Sequence, residues 1–250
     1  CPRFRSPARS LSSNVGIQGF LDYLREEQVQ YVVLRFYDRL PELHRAGGDL
    51  DLLLADEDVL KVNEFLSAHP GPINVDAWAV SQHYYHPPLG TKILKSAVEG
   101  PAGSRGPAAK EAFLSFAYHA LYHKGFYAGI PSRLPNAVVN PNPANDYAGI
   151  LAQMTERLDI QVPMDMESLD EYLHQEGWRP GLGYFPGYRT EDEWVYRRFL
   201  PHRHTAEVGL GLFVLKEGAF RLGLVDRILG AIKGEQFTIL RSKIFDEEGK

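Results

Sequence analysis

Two aspartates, Asp49 and Asp51, stand one residue apart in HRAGGDLDLLLADED, residues 44–58. They open a run that otherwise reads as a buried strand. Side chains two apart on a strand share a face, so these carboxylates would stand side by side while Leu50, Leu52 and Leu54 point the other way. Carboxylates are costly to bury unless paired, hydrogen-bonded or bound to a metal. Two like charges this close repel unless a proton or a cation is shared between them. The stretch is a metal-site candidate, although Asp and Gly also favour a plain turn into a strand. In INVDAWAV, 73–80, alternation puts Asn74, Asp76 and Trp78 on one face and Ile73, Val75, Ala77 and Ala79 on the other. If that strand lies beside DLDLLLA, three carboxylates converge. Such a set suits Mg²⁺, a hard cation that completes its shell with waters and phosphate oxygens. Two such ions can stabilise the attacking and leaving oxygens of a phosphoryl displacement. The expected roles are Asp49 and Asp51 as metal ligands, and Asp76 as a shared ligand that helps deprotonate the attacking hydroxyl.

The elements that must position these groups are legible around them. Ser13 or Asn14 can cap a first helix carrying Ile17, Phe20, Leu21 and Leu24 at helical spacing. VQYVVLRFY, 29–37, is rich in β-branched and aromatic residues and predicts a strand. DLDLLLA predicts the next strand. DEDVLKVNEFLSAH predicts a helix with acidic residues at its start, as helix starts prefer. The first 80 residues thus read helix, strand, strand, helix, strand. PAGSRGP, 101–107, is a loop or linker by composition. AKEAFLSFAYHALYHKG predicts a strong helix closed by Gly125, and another helix is expected near 145–158. Ser168 with Glu171, and Thr190 with Glu193, form capping boxes ahead of two later helices, the first of them ended by Gly177.

GGDLDLLL, 47–54, and NVDAW, 74–78, resemble the nucleotidyltransferase superfamily of DNA-polymerase-β-like or kanamycin-nucleotidyltransferase-like fold. The shared pattern is a strand, an Asp-x-Asp strand, a helix and a strand with a third Asp. It covers residues 14–80. The resemblance implies transfer of a nucleoside monophosphate from an NTP, with Mg²⁺ as cofactor, the NTP as co-substrate and pyrophosphate released. Families of this kind usually end the first strand with Gly-Ser or Gly-Gly, whose amides cradle the triphosphate. Here LRFYDRLP holds that place, so Gly47 and Gly48 take over the cradle, or Arg35 and Arg39 contact phosphate by charge. If triphosphate does not bind, only the fold survives.

His119 and His123 lie four apart on a predicted helix, with Lys124 beside them. Zinc can use such a pair, but the helical zinc-protease pattern needs Glu where this chain has Ala120. A polar helix face is one reading. A face meeting the carboxylates, where Lys124 binds phosphate, is the other. HYYH, 83–86, and PHRH, 201–204, have loop compositions and are expected at the surface, and GYFPGYR, 183–189, as an aromatic loop. Residues 211–245 resemble the first strand, helix and strand of nucleoside-diphosphate kinases, with Lys216 at the phosphate-contacting position. Glu217-Gly218 replaces the usual Pro-Asp, and the catalytic His run has no counterpart.

The chain of 250 residues is 44 % hydrophobic and 24 % charged, with a net charge of −5. That balance and the lack of a basic stripe argue against a nucleic-acid partner. No apolar run reaches the roughly 18 to 20 residues of a membrane helix, and CPRFRSPARS lacks a signal peptide's apolar core. Cys1 is the single cysteine, which fits a reducing cytosol, and a start on Cys reads as processing or as a piece of a longer chain. The expectation is an α/β (α+β) protein. It comprises a mixed-sheet nucleotidyltransferase-like domain over 14–100, a mainly helical region over 108–200 and a C-terminal βαβ segment over 208–246. It would be cytoplasmic and act on a nucleotide and a small-molecule or protein acceptor. Two alternatives stand beside it: a non-catalytic nucleotide-binding or regulatory module, and a fragment of a longer phosphotransfer protein.

Overall fold

Alternation in DLDLLLA and INVDAWAV gives each strand one apolar face, and covering that face organises the chain. The computed structural model describes residues 9–42, 48–82, 84–140, 145–180 and 193–199. Four strands, β1 (Arg9–Leu11), β2 (Tyr31–Val33), β3 (Leu50–Leu54) and β4 (Ile73–Ala79), form a mixed sheet in the order β1-β4-β3-β2. β3 and β4 run parallel, and each is antiparallel to its outer neighbour. Helices α1 (Gly16–Glu26) and α2 (Val59–Ala68) supply the core. Ile17, Phe20, Leu21, Leu24, Val62 and Leu66 are buried with Leu50, Leu52, Leu54, Val75 and Ala77 in one cluster. The parallel pair is joined through α2, because a parallel connection must cross over and a helix does so while covering the sheet.

Several local expectations are corrected. Strand pairing in 29–37 covers only Tyr31–Val33. The backbone then turns, with Phe36 at φ +55°, into a 3₁₀ turn at Tyr37–Arg39. Neither Ser13 nor Asn14 caps α1. Val15 stands at its N-cap without a side-chain bond, and Gly16 takes the chain into the helix at φ +63°. β1 is too short to leave a period in the sequence. Its pairing with the edge of β4 is a tertiary event.

The chain continues through α3 (Pro87–Lys95), a small hairpin of β5 (Val98–Glu99) and β6 (Arg105–Gly106), and α4 (Ala109–Tyr118). The segment expected as a linker thus forms this hairpin's bend, with Ser104 fully buried. α4 runs on as a π-helical segment, His119–Lys124, ended by Gly125 at φ +57°. Then follow α5 (Tyr147–Leu158), α6 (Met166–Gln175) and α7 (Glu193–Phe199). Asp165, not Ser168, caps α6: its Oδ1 accepts from the Ser168 amide at 2.9 Å and its Oδ2 from the Ser168 hydroxyl at 2.9 Å. Gly177, at φ +73°, follows α6 as expected.

Two buried carboxylates of α6 fasten the helical part. Glu167 accepts from Ser132 Oγ at 2.6 Å, the Arg133 amide at 2.8 Å and Trp194 Nε1 at 3.0 Å. Asp170 takes Arg179 through Nε at 2.9 Å and Nη2 at 2.7 Å, and accepts from Tyr122 Oη at 2.7 Å, which ties the π-helical segment to α6.

The chain divides into two compact units, Cys1–Val195 and Tyr196–Lys250. The site described below lies in the first. The stretch 211–245 with Lys216, on which the second resemblance rests, PHRH, GYFPGYR and Thr190 fall outside the described residues. Among the described residues no helix is long and apolar enough to cross a membrane.

Gly71 tests how firmly β1 is seated. A Cβ there would run into the backbone of Ser12, just after β1. Gly71→Ala is expected to lower stability by about 1–3 kcal/mol, the usual cost of overpacking a fitted site. Urea unfolding with an unchanged slope and a lower midpoint would show it. An unchanged midpoint would mean that the edge strand yields.

Candidate functional site

The parallel register sets Leu50 opposite Val75, Asp51 opposite Asp76 and Leu53 opposite Trp78. Asp51 and Asp76 therefore share one face of the sheet, the one turned away from the α1–α2 core. The expected alternation holds in β4, where Ile73, Val75, Ala77 and Ala79 are buried and Asn74, Asp76 and Trp78 less so. Asp49, just ahead of β3, is exposed, and its Oδ1 accepts from Asn74 Nδ2 at 3.1 Å. Gly48 precedes it, half-buried, and Gly47 lies outside the described residues.

Arg35 reaches this face from the segment that leaves β2. Its Nη2 stands 2.6 Å from Asp51 Oδ1, both side chains being largely withdrawn from solvent at 8 % and 13 % exposure. Its Nη1 donates to Tyr84 Oη at 2.8 Å, and the guanidinium carbon lies 5.6 Å from the centroid of the same ring. Burial pulls the Arg35 pKa down, but Asp51 and the two tyrosines Tyr84 and Tyr85 outweigh it and hold the pKa well above the ordinary value. A buried charge of this kind persists only when paired and hydrogen-bonded, as here. Burial drives the Tyr84 phenol well up against the opposing pull of Arg35, so the hydroxyl keeps its proton. The Tyr84 ring packs on Trp78, with centroids 4.7 Å apart.

A line of contacts continues into the π-helical segment. Tyr84 Oη lies 2.9 Å from His119 Nδ1, which lies 3.1 Å from His123 Nδ1. Arg35 can only donate, so Tyr84 Oη accepts from it, and the phenolic proton is available to His119. His119 is buried. First burial and then the positive charges of Arg35, His123 and Lys124 hold its pKa well below the ordinary value of 6.5. π-helical turns recur at functional sites. This one carries His119 and His123, which a line of contacts through Tyr84 and Arg35 joins to Asp51.

Tyr84 is the residue that sequence reasoning missed. HYYH is expected at the surface, yet Tyr85 is 1 % exposed and Tyr84 bridges Arg35 to His119. The available signal was a pair of aromatics one residue ahead of a Pro-Pro helix start. Of that motif, His83 is outside the described residues. Arg39, the other candidate phosphate contact, sits in the 3₁₀ turn with its guanidinium carbon 4.6 Å from the centroid of the Phe36 ring.

Asp51 and Asp76, with Asp49 two residues ahead of Asp51 in the chain, offer the hard oxygen donors that Mg²⁺ requires, so the donor chemistry fits that ion. As the side chains stand, Asp51 is committed to Arg35, and among the described residues no group of three His, Cys, Asp or Glu is gathered closely enough to hold a metal. Comparison with known proteins returned no matching family model, curated protein or solved structure.

The depressed His119 pKa has a definite sign in stability. The unfolded chain takes up the proton near pH 6.5 and the folded one only at lower pH, so stability is full above that value and falls as pH drops below it. Urea unfolding of wild type and His119→Asn at pH 7.5 and 5.5 checks this. The loss between the two pH values should be smaller in the variant.

Proposed function

We propose that this protein is a Mg²⁺-dependent nucleotidyltransferase that moves a nucleoside monophosphate from an NTP to a small-molecule or protein acceptor. One observation carries the proposal: a parallel register pairs Asp51 with Asp76 on one sheet face, with Asp49 ahead of Asp51, beside an antiparallel β2. This is the order that the resemblance of residues 14–80 calls for. In this reading the Asp49, Asp51 and Asp76 carboxylates would hold Mg²⁺, which when bound neutralises charge on the phosphate oxygens. Asp76 takes the proton of the acceptor hydroxyl as its oxygen bonds to the α-phosphorus. The bond from the α-phosphorus to the bridging oxygen breaks, and pyrophosphate leaves with that electron pair. Arg35, Lys124 and the amide of Gly48 offer positive charge and a donor to the phosphates.

The ion pair between Arg35 and Asp51 favours a second reading, a nucleotide-binding or regulatory module without catalysis, in which the guanidinium has replaced the metal. Pyrophosphate release separates the two. Wild type incubated with each NTP, Mg²⁺ and a panel of acceptors should release pyrophosphate and label an acceptor from an α-phosphate label. Asp49→Asn and Asp51→Asn should reduce both to background, the first with the far-UV circular dichroism unchanged and the second with a lowered unfolding midpoint, because Asp51 is the partner of the buried Arg35. Transfer that survives both changes rules out the carboxylate centre, and Mg²⁺-dependent nucleotide binding without any pyrophosphate selects the module.

A further inference from the structure

Arg35 occupies a peculiar place for a phosphate ligand, because its guanidinium already sits on one of the carboxylates that the functional reading gives to the metal. A guanidinium carries one positive charge, keeps it at any physiological pH and donates in a planar fork. At 2.6 Å from Asp51 Oδ1 it provides the neutralisation that a divalent ion would otherwise bring. Its other end is held by Tyr84 Oη at 2.8 Å. Tyr84 in turn is held by Trp78 at 4.7 Å between centroids and by His119 at 2.9 Å. The guanidinium is thus fixed from the side away from Asp51.

We propose that Arg35 is a built-in counter-cation that competes with the divalent ion for Asp51, so that the metal enters efficiently only with a nucleotide whose phosphates give the guanidinium another anion to pair with. This rests on the nucleotidyltransferase reading above and adds to it an order of binding. Tyr84 acts as the pivot, keeping Nη1 while Nη2 is exchanged from carboxylate to phosphate. Arg35 is a positioning residue for the metal rather than a ligand to it. The physical basis is competition between two cations for one carboxylate, in which removing the resident charge strengthens the site for the incoming one. The arrangement keeps the empty protein from trapping a divalent ion that has no phosphate to act on.

The probe is Mn²⁺ alone, followed by loss of its free-ion electron paramagnetic resonance signal and by thermal unfolding at several Mn²⁺ concentrations. Wild type should bind Mn²⁺ weakly without nucleotide. Arg35→Met should bind it at least about tenfold more tightly, and Mn²⁺ should raise its unfolding temperature more than that of wild type. A gain in affinity is a readout that mere structural damage would not produce. Where Arg35→Met does not fold, Tyr84→Phe, which removes the Nη1 contact together with the one to His119 Nδ1, should tighten Mn²⁺ binding severalfold. Asp51→Asn in either background should cancel the gain. Equal Mn²⁺ affinity in wild type and the folded variant, dependent on Asp51, overturns the inference and leaves the functional reading standing. Absence of Mn²⁺ binding in every protein, with and without ATP, overturns both.

Discussion

A buried positive charge needs a partner, and in this protein the need of Arg35 joins three parts of the chain. The guanidinium comes from the segment after β2, the carboxylate from β3, and the phenol that accepts from its other terminal nitrogen from the turn ahead of α3. Removing one member of such a pair leaves the other buried and unpaired, which is among the costlier changes a fold can suffer. The contact therefore constrains how far the 3₁₀ turn at Tyr37–Arg39 can drift from the sheet and where Tyr84 must stand. Through Tyr84 it also constrains His119 and the π-helical end of α4.

The two faces of the central sheet have opposite tasks. One is filled by Leu50, Leu52, Leu54, Val75 and Ala77 against α1 and α2, and burying it drives the folding. The other carries Asn74, Trp78 and the buried Leu53 together with Asp49, Asp51 and Asp76, whose like charges repel unless neutralised. Asn74 relieves Asp49 and Arg35 relieves Asp51. Concentrating carboxylates on one face is costly for stability unless each is neutralised or hydrogen-bonded.

The helical part fastens the arrangement through two carboxylates. Asp170 and Glu167, on one helix, hold Tyr122, Arg179, the Ser132–Arg133 turn and Trp194. Tyr122 belongs to the same π-helical segment as His119 and His123, so the histidine pair is anchored on one side by α6 and on the other by Tyr84. His119 itself is buried between these two anchors, where burial disfavours its charged form.

How much of this was legible depends on the range of the interaction involved. Alternation in INVDAWAV and over DLDL at 49–52, helical spacing in α1 and α2, and glycine after α6 are local signals, and they determined the order helix, strand, strand, helix, strand and the face that Asp51 and Asp76 take. The side-by-side placement of Asp51 and Asp76 needed one further condition, that β3 and β4 be neighbours in register, which the sequence allowed and the parallel pairing decided. β1 and the β5–β6 hairpin carry too few residues for a period, so their pairing exists only through tertiary contact. The capping of α6 shifted from Ser168 to Asp165 because both can accept from an amide and the helix starts earlier than its apolar pattern. Tyr84 stayed invisible for a plainer reason: a tyrosine in a His-rich turn shows neither its burial nor its partner until Arg35, 49 positions away, is brought to its hydroxyl. By itself the sequence determined the residue types and the face they occupy. Only the tertiary structure decided that Asp51 meets a guanidinium, because that pairing is a contact between segments distant along the chain.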